Sequence, residues 1–437
     1  MCAITPVALH FARFRAFKEE ARLPLAPLTI ILGKNGSGKS VLTRLPVLIS
    51  GGLKLGATSP LNLVAGGIAH AARFEDLVHQ RSAQPFMVGA EIAVDGTSIT
   101  FKTTLRHAVE NHALVYESFE VLYGENSGIK LSISSPDELG KGQAKFAIYV
   151  DGTQIDAESR VTFSGLFPAH IEGQVDLTER LKLLHDQFNI AFGSPSYLGP
   201  FRSEAISLGR VPQQGLRQMG PRGEGALDIL GDDSLRGDGA ITRLVEDWFD
   251  SAMRGSRVVL ELAGGIPRLL VHDPMRNLDV DLAETGAGFA QVLPIAVQVL
   301  SARNDRFRVP ISIVEQPELH LHPGAHGALA DLFVDAATGD AQTKYICETH
   351  SEQFVTRVRR RIAEGKIKSD DVLIVSIAHQ SVADGALEPI RVIAIDEYGN
   401  TDTWPVGVFD EAFDDLIILR EAVAAKGDVP GVATSAD

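Results

Sequence analysis

From Val7 to Phe14 apolar and polar positions alternate, the two-residue period of a strand with one buried face. Leu28 to Leu32 form a short unbroken apolar run that ends at a glycine-rich turn. From about Phe86 to Phe167 the pattern stays β-rich and is punctuated by Asp95-Gly96, Gly124-Glu125-Asn126 and Asp151-Gly152, which predicts an antiparallel lobe. Thr178 to Ile190 reads as a helix, with Leu181, Leu184, Phe188 and Ile190 near one face, and a turn-rich segment runs from Ser194 to Gly239. Beyond it, apolar strands (Val258 to Leu262, Pro310 to Val314, Lys344 to Cys347, Val372 to Ile377 and Ile390 to Ile395) alternate with helical stretches. That alternation predicts an α/β fold with a largely parallel sheet flanked by helices. No sustained heptads occur, so a long coiled-coil arm is not expected, and the tail after Lys426 is expected to be unstructured.

Composition narrows the classes. With 437 residues, 45% of them hydrophobic, the chain buries one large core or two moderate ones without staples. Its only cysteines are Cys2 and Cys347 and no secretory leader is visible, which points to a reducing, cytoplasmic setting. The longest apolar stretches, Leu25 to Leu32 and Val292 to Leu300, fall short of the roughly 20 residues of a membrane-spanning helix, so no membrane association is expected. A formal net charge of −15 repels polyanions, so nucleic acid would need a local basic patch or a partner.

Three segments carry candidate chemistry. Gly33, Lys34, Asn35, Gly36, Ser37, Gly38, Lys39 and Ser40 match the phosphate-loop pattern directly after an apolar strand. The glycines let backbone N–H groups wrap phosphates, Lys39 reaches the β and γ oxygens, and Ser40 binds magnesium at a helix N-terminus that favours anions. Pro46 is expected to bend or end that helix after about two turns. The second segment, Ile311 to Val314 followed by Glu315-Gln316-Pro317-Glu318-Leu319-His320-Leu321-His322-Pro323, runs an apolar strand into acids able to meet magnesium and an attacking water. An ordinary strand ending in a surface turn has the same pattern. The third, Tyr345-Ile346-Cys347-Glu348-Thr349-His350-Ser351, ends a short strand at a histidine that could sense a γ-phosphate, or be a satisfied core or turn histidine.

Together with Phe11-Ala12-Arg13-Phe14-Arg15-Ala16-Phe17, these segments resemble the ABC-type ATPase heads of the RecF, SMC and OLD group. Glu284-Thr285-Gly286-Ala287-Gly288-Phe289-Ala290-Gln291 with Val292-Leu293-Pro294 looks like the degenerate signature segment of a branch of small, uncharacterised AAA-type ATPases. Tyr197-Leu198-Gly199-Pro200-Phe201-Arg202 and Trp404-Pro405-Val406-Gly407-Val408-Phe409-Asp410-Glu411 are similar to landmarks of that branch. The resemblance implies a P-loop NTPase fold with ATP and Mg2+ as cofactors, ATP being sandwiched in a homodimer. The signature residues Thr285, Gly286 and Gly288 of one head would face the phosphate loop of the other. It also implies Glu315 as the magnesium-side acid beside Ser40, His350 as the switch histidine, and Leu321-His322-Pro323 as a dimer-crossing loop. Gln80 is the choice for a glutamine lid. The expected organisation is residues 1–85 and 201–425 as the two parts of the head, 86–200 as the β-rich lobe with a helical insertion, and 426–437 as a disordered tail.

One departure bears on mechanism: the group places a catalytic glutamate after its aspartate, whereas here Gln316 follows Glu315, and a neutral amide orients water without accepting its proton. Glu318 is the nearest replacement base, so either a slow Glu318-assisted hydrolysis or a long-lived ATP-bound clamp is expected. His320, His322, His326 and His350 suggest zinc only weakly, since no cysteine pair accompanies them. Arg357, Arg359, Arg360 and Arg361, with Lys366 and Lys368, are either a solvated helix face or a DNA- or partner-contacting patch. The leading reading is an ATPase that regulates a separate effector, such as a nuclease, in DNA-related or anti-phage defence. No intrinsic nuclease is expected, because fewer than about 90 residues follow His350, against the roughly 200 of an OLD-type nuclease domain, and they hold only scattered acids such as Asp384, Asp396 and Glu397. The alternatives are a nucleotide-gated scaffold without significant turnover and, less well supported, the ATPase subunit of a transporter.

Overall fold

The computed structural model describes residues 4–110, 112–124, 127–139, 144–203, 208–210, 218–253, 257–273, 276–304, 306–339, 342–377, 390–404, 409 and 418–422. Two sheets dominate. A six-stranded sheet runs in the order Ser196–Leu198, Ile311–Glu315, Lys344–Glu348, Leu28–Gly33, Val372–Ile377 and Ile390–Ile393, every neighbouring pair parallel except the last. Its inner strands are almost wholly buried because both faces are covered, whereas the edge strand Ile390–Ile393 exposes Arg391 and Val392. Ile31, Ile311, Ile313, Ile346, Val375 and Ile377 pack on one side with the helix Lys39–Gly52 and the lobe. Leu28, Ile30 and Leu32 pack on the other side with Val314, Tyr345 and Cys347, against the helices Ala287–Ser301, Pro323–Gly339 and Glu352–Ala363.

The second sheet has nine antiparallel strands and contains the β-rich lobe from Phe86 to Ile171, with Asp95 and Gly96 (φ 48° and 84°) and Asp151 and Gly152 (φ 48° and 78°) making tight hairpin turns. Ile4–Ala12 and Ala21–Pro24 complete it, so the chain starts in the lobe's sheet and crosses to the parallel sheet at Leu28. The helix Val175–Phe192 follows; it buries Leu181, Leu184 and Phe188 as the periodicity predicts, but Ile190 is exposed.

Three expectations are corrected. Within the segment from Ser194 to Gly239, read as turn-rich, Ser196–Leu198 is a strand and Ala226–Arg236 a helix. Val258 to Leu262 is a strand (Arg257–Ala263), but it pairs antiparallel with Ile266–Asp273 in a separate three-stranded sheet closed by Leu278–Asp281. The helix Lys39–Gly52 also runs through Pro46 to its full 14 residues. Pro46, packed in the core, gives up one backbone hydrogen bond, and the buried face it shares with Leu42, Leu45 and Ile49 outweighs that loss. Among the described residues no helix is long and apolar enough to cross a membrane. The tail after Lys426, Asp384, and most of the landmark from Pro405 to Glu411 lie outside the described residues.

Candidate functional site

The glycine-rich turn joins the central strand Leu28–Gly33 to the N-terminus of the helix Lys39–Gly52. Gly33 (φ 150°) has no room for a side chain, since a Cβ there would meet the Ile377 carbonyl oxygen at 2.8 Å. Gly38 (φ 106°) lies against Ala16 and Phe17, where a Cβ would sit 3.2 Å from each. Lys34, Asn35 and Gly36 are exposed at the tip, and Ser37 turns back with its N–H donating to the Lys34 carbonyl. The Lys39 ammonium donates to the carbonyls of Gly33 and Lys34 at 2.9 and 2.8 Å, folded over its own loop. Burial lowers its pKa, opposed by the charge of Glu348. The buried Ser37 hydroxyl has no partner among the described residues.

Two acids converge on this helix from neighbouring strand ends, Glu315 and Glu348 being register partners. Glu315, 1% exposed, accepts from Thr43 Oγ1 at 2.6 Å and is gripped by Arg44 through Nε (3.0 Å) and Nη2 (2.9 Å). Its lone pairs are therefore turned to the second turn of the helix. The Arg44 guanidinium, although partly desolvated, is held charged by Glu315 and also donates to the Tyr197 hydroxyl at 3.0 Å. Glu348 instead faces the first turn. Ser40 Oγ donates to its carboxylate at 3.1 Å, and burial together with repulsion from Glu315 pushes its pKa up to about 7.

The turn after Glu315 is equally constrained. Gln316 adopts a left-handed conformation (φ 45°), its N–H donating to the Glu348 carbonyl at 2.7 Å. Arg202 holds the same turn from below, Nη2 donating to the carbonyls of Glu315 and Gln316 at 2.9 and 3.0 Å. Glu318 Oε1 accepts from the His350 N–H at 2.6 Å. Burial and then repulsion from Lys39 lower the His350 pKa, which puts this ring in the field of the phosphate-loop lysine. Glu315, Gln316, Glu318, His350, Lys39 and Ser40 thus occupy one sheet edge.

Thr285, Gly286 and Gly288 stand apart from that edge, at the start of the helix Ala287–Ser301. There Gly286, Gly288, Phe289, Leu321 and His322 line a separate cavity of about 420 Å³. Gln80 is exposed on a single 3-10 turn (His79–Arg81). The His79 N–H of that turn donates to the Arg13 carbonyl, and Arg13 opens the stretch that packs on Gly38. A cavity of about 270 Å³ beside the phosphate loop is lined by Phe14, Arg15, Ser40, Arg44 and His70, among others.

The histidines have separate tasks. His326 is buried and bridges the Ser351 hydroxyl (2.8 Å), which caps the helix Glu352–Ala363, to the Leu321 carbonyl. His322 Nδ1 accepts from the Gly324 N–H. Among the described residues no group of three or more histidine, cysteine, aspartate or glutamate side chains is arranged to hold a metal ion. Arg357 and Arg361 both bind Asp331, Arg360 and Arg361 bind Glu364, and Arg359 donates to the Gly399 carbonyl at 2.7 Å with Trp404 across its face.

Comparison with known proteins gives limited likenesses. A family profile described as a protein of unknown function (DUF3696) matches residues 367–419, well under half of the chain. No curated protein matches it. Similar solved structures include the SMC head domain from Thermotoga maritima, 12% identical with a TM-score of 0.44, covering 90% of this chain and 99% of that one. An Smc head domain with an extended coiled coil, bound to the C-terminal domain of ScpA and derived from Pyrococcus furiosus, is 12% identical with a TM-score of 0.43, covering 95% and 100%. An SmcHead bound to the C-winged helix domain of ScpA is 13% identical with a TM-score of 0.42, covering 90% and 98%. The fold class rests on the chain's own topology: a glycine-rich turn between a central parallel strand and a helix N-terminus, as in P-loop nucleotide-binding folds.

Three residues of this site went unassigned in the sequence. Glu348 was legible, because two apolar strands both end in glutamate. Arg44 carried a weaker signal, four residues after Ser40 and hence on the same helix face. Arg202 ends the segment Tyr197 to Arg202, but nothing in its local pattern points to the Gln316 turn.

Proposed function

We propose that the chain is an ATP-binding ATPase head that closes as a homodimer on ATP and through that closure regulates a separate effector protein. The observation that carries this reading is the meeting of Lys39, Ser40, Glu348 and Glu315 at the carboxyl edge of adjacent parallel strands. The donor set fits Mg2+ and a triphosphate: a buried hydroxyl at Ser37 without a partner among the described residues, a retractable ammonium at Lys39, and hard oxygens at Ser40 and Glu348. Ser40 and Glu348 would hold Mg2+ on this reading, and Glu315 would brace the helix through Arg44. The ion, when bound, would neutralise charge on the β and γ oxygens. Lys39 would leave its two carbonyls for the phosphate oxygens, the Ser37 hydroxyl would donate to one of them, and His350 would lie within reach of the outermost phosphate.

The homodimer is supported by the cavity shared by Gly286, Gly288, Phe289 and the Leu321-His322 loop, a concave face set apart from the chain's own phosphate loop. The effector, a nuclease in DNA-related or anti-phage defence, is the partner that the sequence resemblance suggests. Direct DNA contact through Arg357, Arg359, Arg360 and Arg361 draws no support from the geometry, since each already has an acceptor within the chain.

Light scattering tests the reading. Mass should double with ATP and Mg2+ for the wild type and stay monomeric for Lys39→Ala, whose loop lacks the ammonium. Equal masses for the two proteins under all nucleotide conditions would remove ATP-gated association.

A further inference from the structure

Arg202 is 5% exposed, and among the described residues only one of its nitrogens, Nη2, has acceptors, the carbonyls of Glu315 and Gln316. Nε and Nη1 are buried with no acceptor among the described residues, and Glu318 Oε2, whose sister oxygen accepts from the His350 N–H, is buried with no donor among them. The two groups feel each other's charge without forming an ion pair: Glu318 is the leading charge partner of Arg202, whose pKa burial lowers to about 10. Buried charged donors without an acceptor cost a few kcal/mol each, so a fold that keeps two of them at the same turn as a carboxylate oxygen that also lacks a partner among the described residues is suited to a small molecule that both accepts and donates. Water does both. The neighbours of this pair are the Gln316 carbonyl, which accepts from Arg202, and the His350 N–H, which donates to Glu318, with the His350 ring in the field of Lys39.

We propose that Arg202 and Glu318 together seat the attacking water of ATP hydrolysis, Arg202 as the positioning residue and Glu318 as the base. This rests on the ATPase reading above and answers the difficulty raised by Gln316, whose amide cannot take a proton. The water oxygen accepts from an Arg202 N–H and donates one hydrogen to Glu318 Oε2. As the water oxygen bonds to the γ-phosphorus, the bond from phosphorus to the β–γ bridging oxygen breaks, ADP leaves with that bond's electron pair, and the water proton passes to Glu318 Oε2. Arg202 also sets the geometry indirectly, because its Nη2 fixes the left-handed turn at Gln316.

The test separates binding from chemistry. Wild type, Arg202→Lys, Arg202→Ala and Glu318→Gln are compared by calorimetric titration with ATP and Mg2+ and by single-turnover hydrolysis. Affinities within about threefold of wild type are expected, with the hydrolysis rate down about 100-fold or more in Arg202→Ala and Glu318→Gln, the size of a lost acid–base contribution. The double variant should be no slower than the slower single one. Added guanidinium ions should restore part of the Arg202→Ala rate at unchanged affinity and leave Glu318→Gln unaffected. Arg202→Lys and the near-isosteric Glu318→Gln guard against a folding defect in Arg202→Ala. Wild-type rates in Glu318→Gln and both Arg202 variants would overturn the proposal, as would a wild type that binds ATP but hydrolyses no faster than Lys39→Ala. Failure of the wild type to bind ATP would instead remove the ATPase reading, and the water seat with it.

Discussion

Glu348→Gln protein is expected to lose magnesium-dependent ATP affinity by at least about 100-fold while becoming more stable at pH 8 than the wild type. The first half follows from the carboxylate that Ser40 touches, which an amide replaces without its charge. The second follows from the pKa. Burial, then repulsion from Glu315, raise the folded-state value to about 7 from the ordinary 4.5, so the folded chain keeps a proton that the unfolded chain releases. Between those two values the folded state binds more protons, and stability falls as pH rises, by up to about 3 kcal/mol once pH exceeds 7. The loss is absent below about pH 4.5. Glu348→Gln removes this slope, so denaturation curves at pH 5 and pH 8 should draw together in the variant and stay apart in the wild type. A variant that bound ATP and Mg2+ as tightly as the wild type would show that Glu348 does not face the cation.

The register partner of Glu348 should behave in the opposite way. Glu315→Gln leaves Arg44 without its carboxylate in a site where the acid is 1% exposed and the guanidinium side chain about a third exposed (33%). Breaking a buried pair from one side costs about 3–5 kcal/mol, and the partial exposure of Arg44 places the loss near the lower end, about 3 kcal/mol. Arg44→Met, which removes the cation and strands the acid instead, should cost at least as much. Equilibrium denaturation decides the point. A change of less than about 0.5 kcal/mol in both variants would mean that the pair contributes nothing to the brace.

How much of this was legible in the sequence depends on whether a feature is local. Leu28–Gly33, the phosphate loop and Ile311–Glu315 announce themselves through apolar runs ending at glycine or acid, because a parallel sheet covered on both faces admits little else. The lobe was equally plain from its hairpin pairs. Strand partnership was not: Val258 to Leu262 has a strand's pattern whether it joins the parallel sheet or, as it does, a small antiparallel one. Ile4–Ala12 likewise gives no local sign that its neighbour is Phe86–Val94. Pairings inside the site span still longer distances. Arg44 and Glu315 are 271 residues apart, and Arg202 reaches the Glu315 carbonyl across 113. A spacing pattern could name Glu315 as an acid near the loop, but which of two adjacent acids keeps its lone pairs free is set by Thr43 and Arg44, which occupy one and spare the other.

The central claim is that the turn from Gly33 to Ser40 grips a triphosphate with a cation shared by a neighbouring strand end. Titrating the wild-type chain with ATP in the calorimeter, with Mg2+ and again with a chelator, tests it most directly. The arrangement predicts saturable heat at one nucleotide per chain that weakens sharply when the metal is removed. No heat with Mg2+ present, or equal affinity with and without it, would contradict the account.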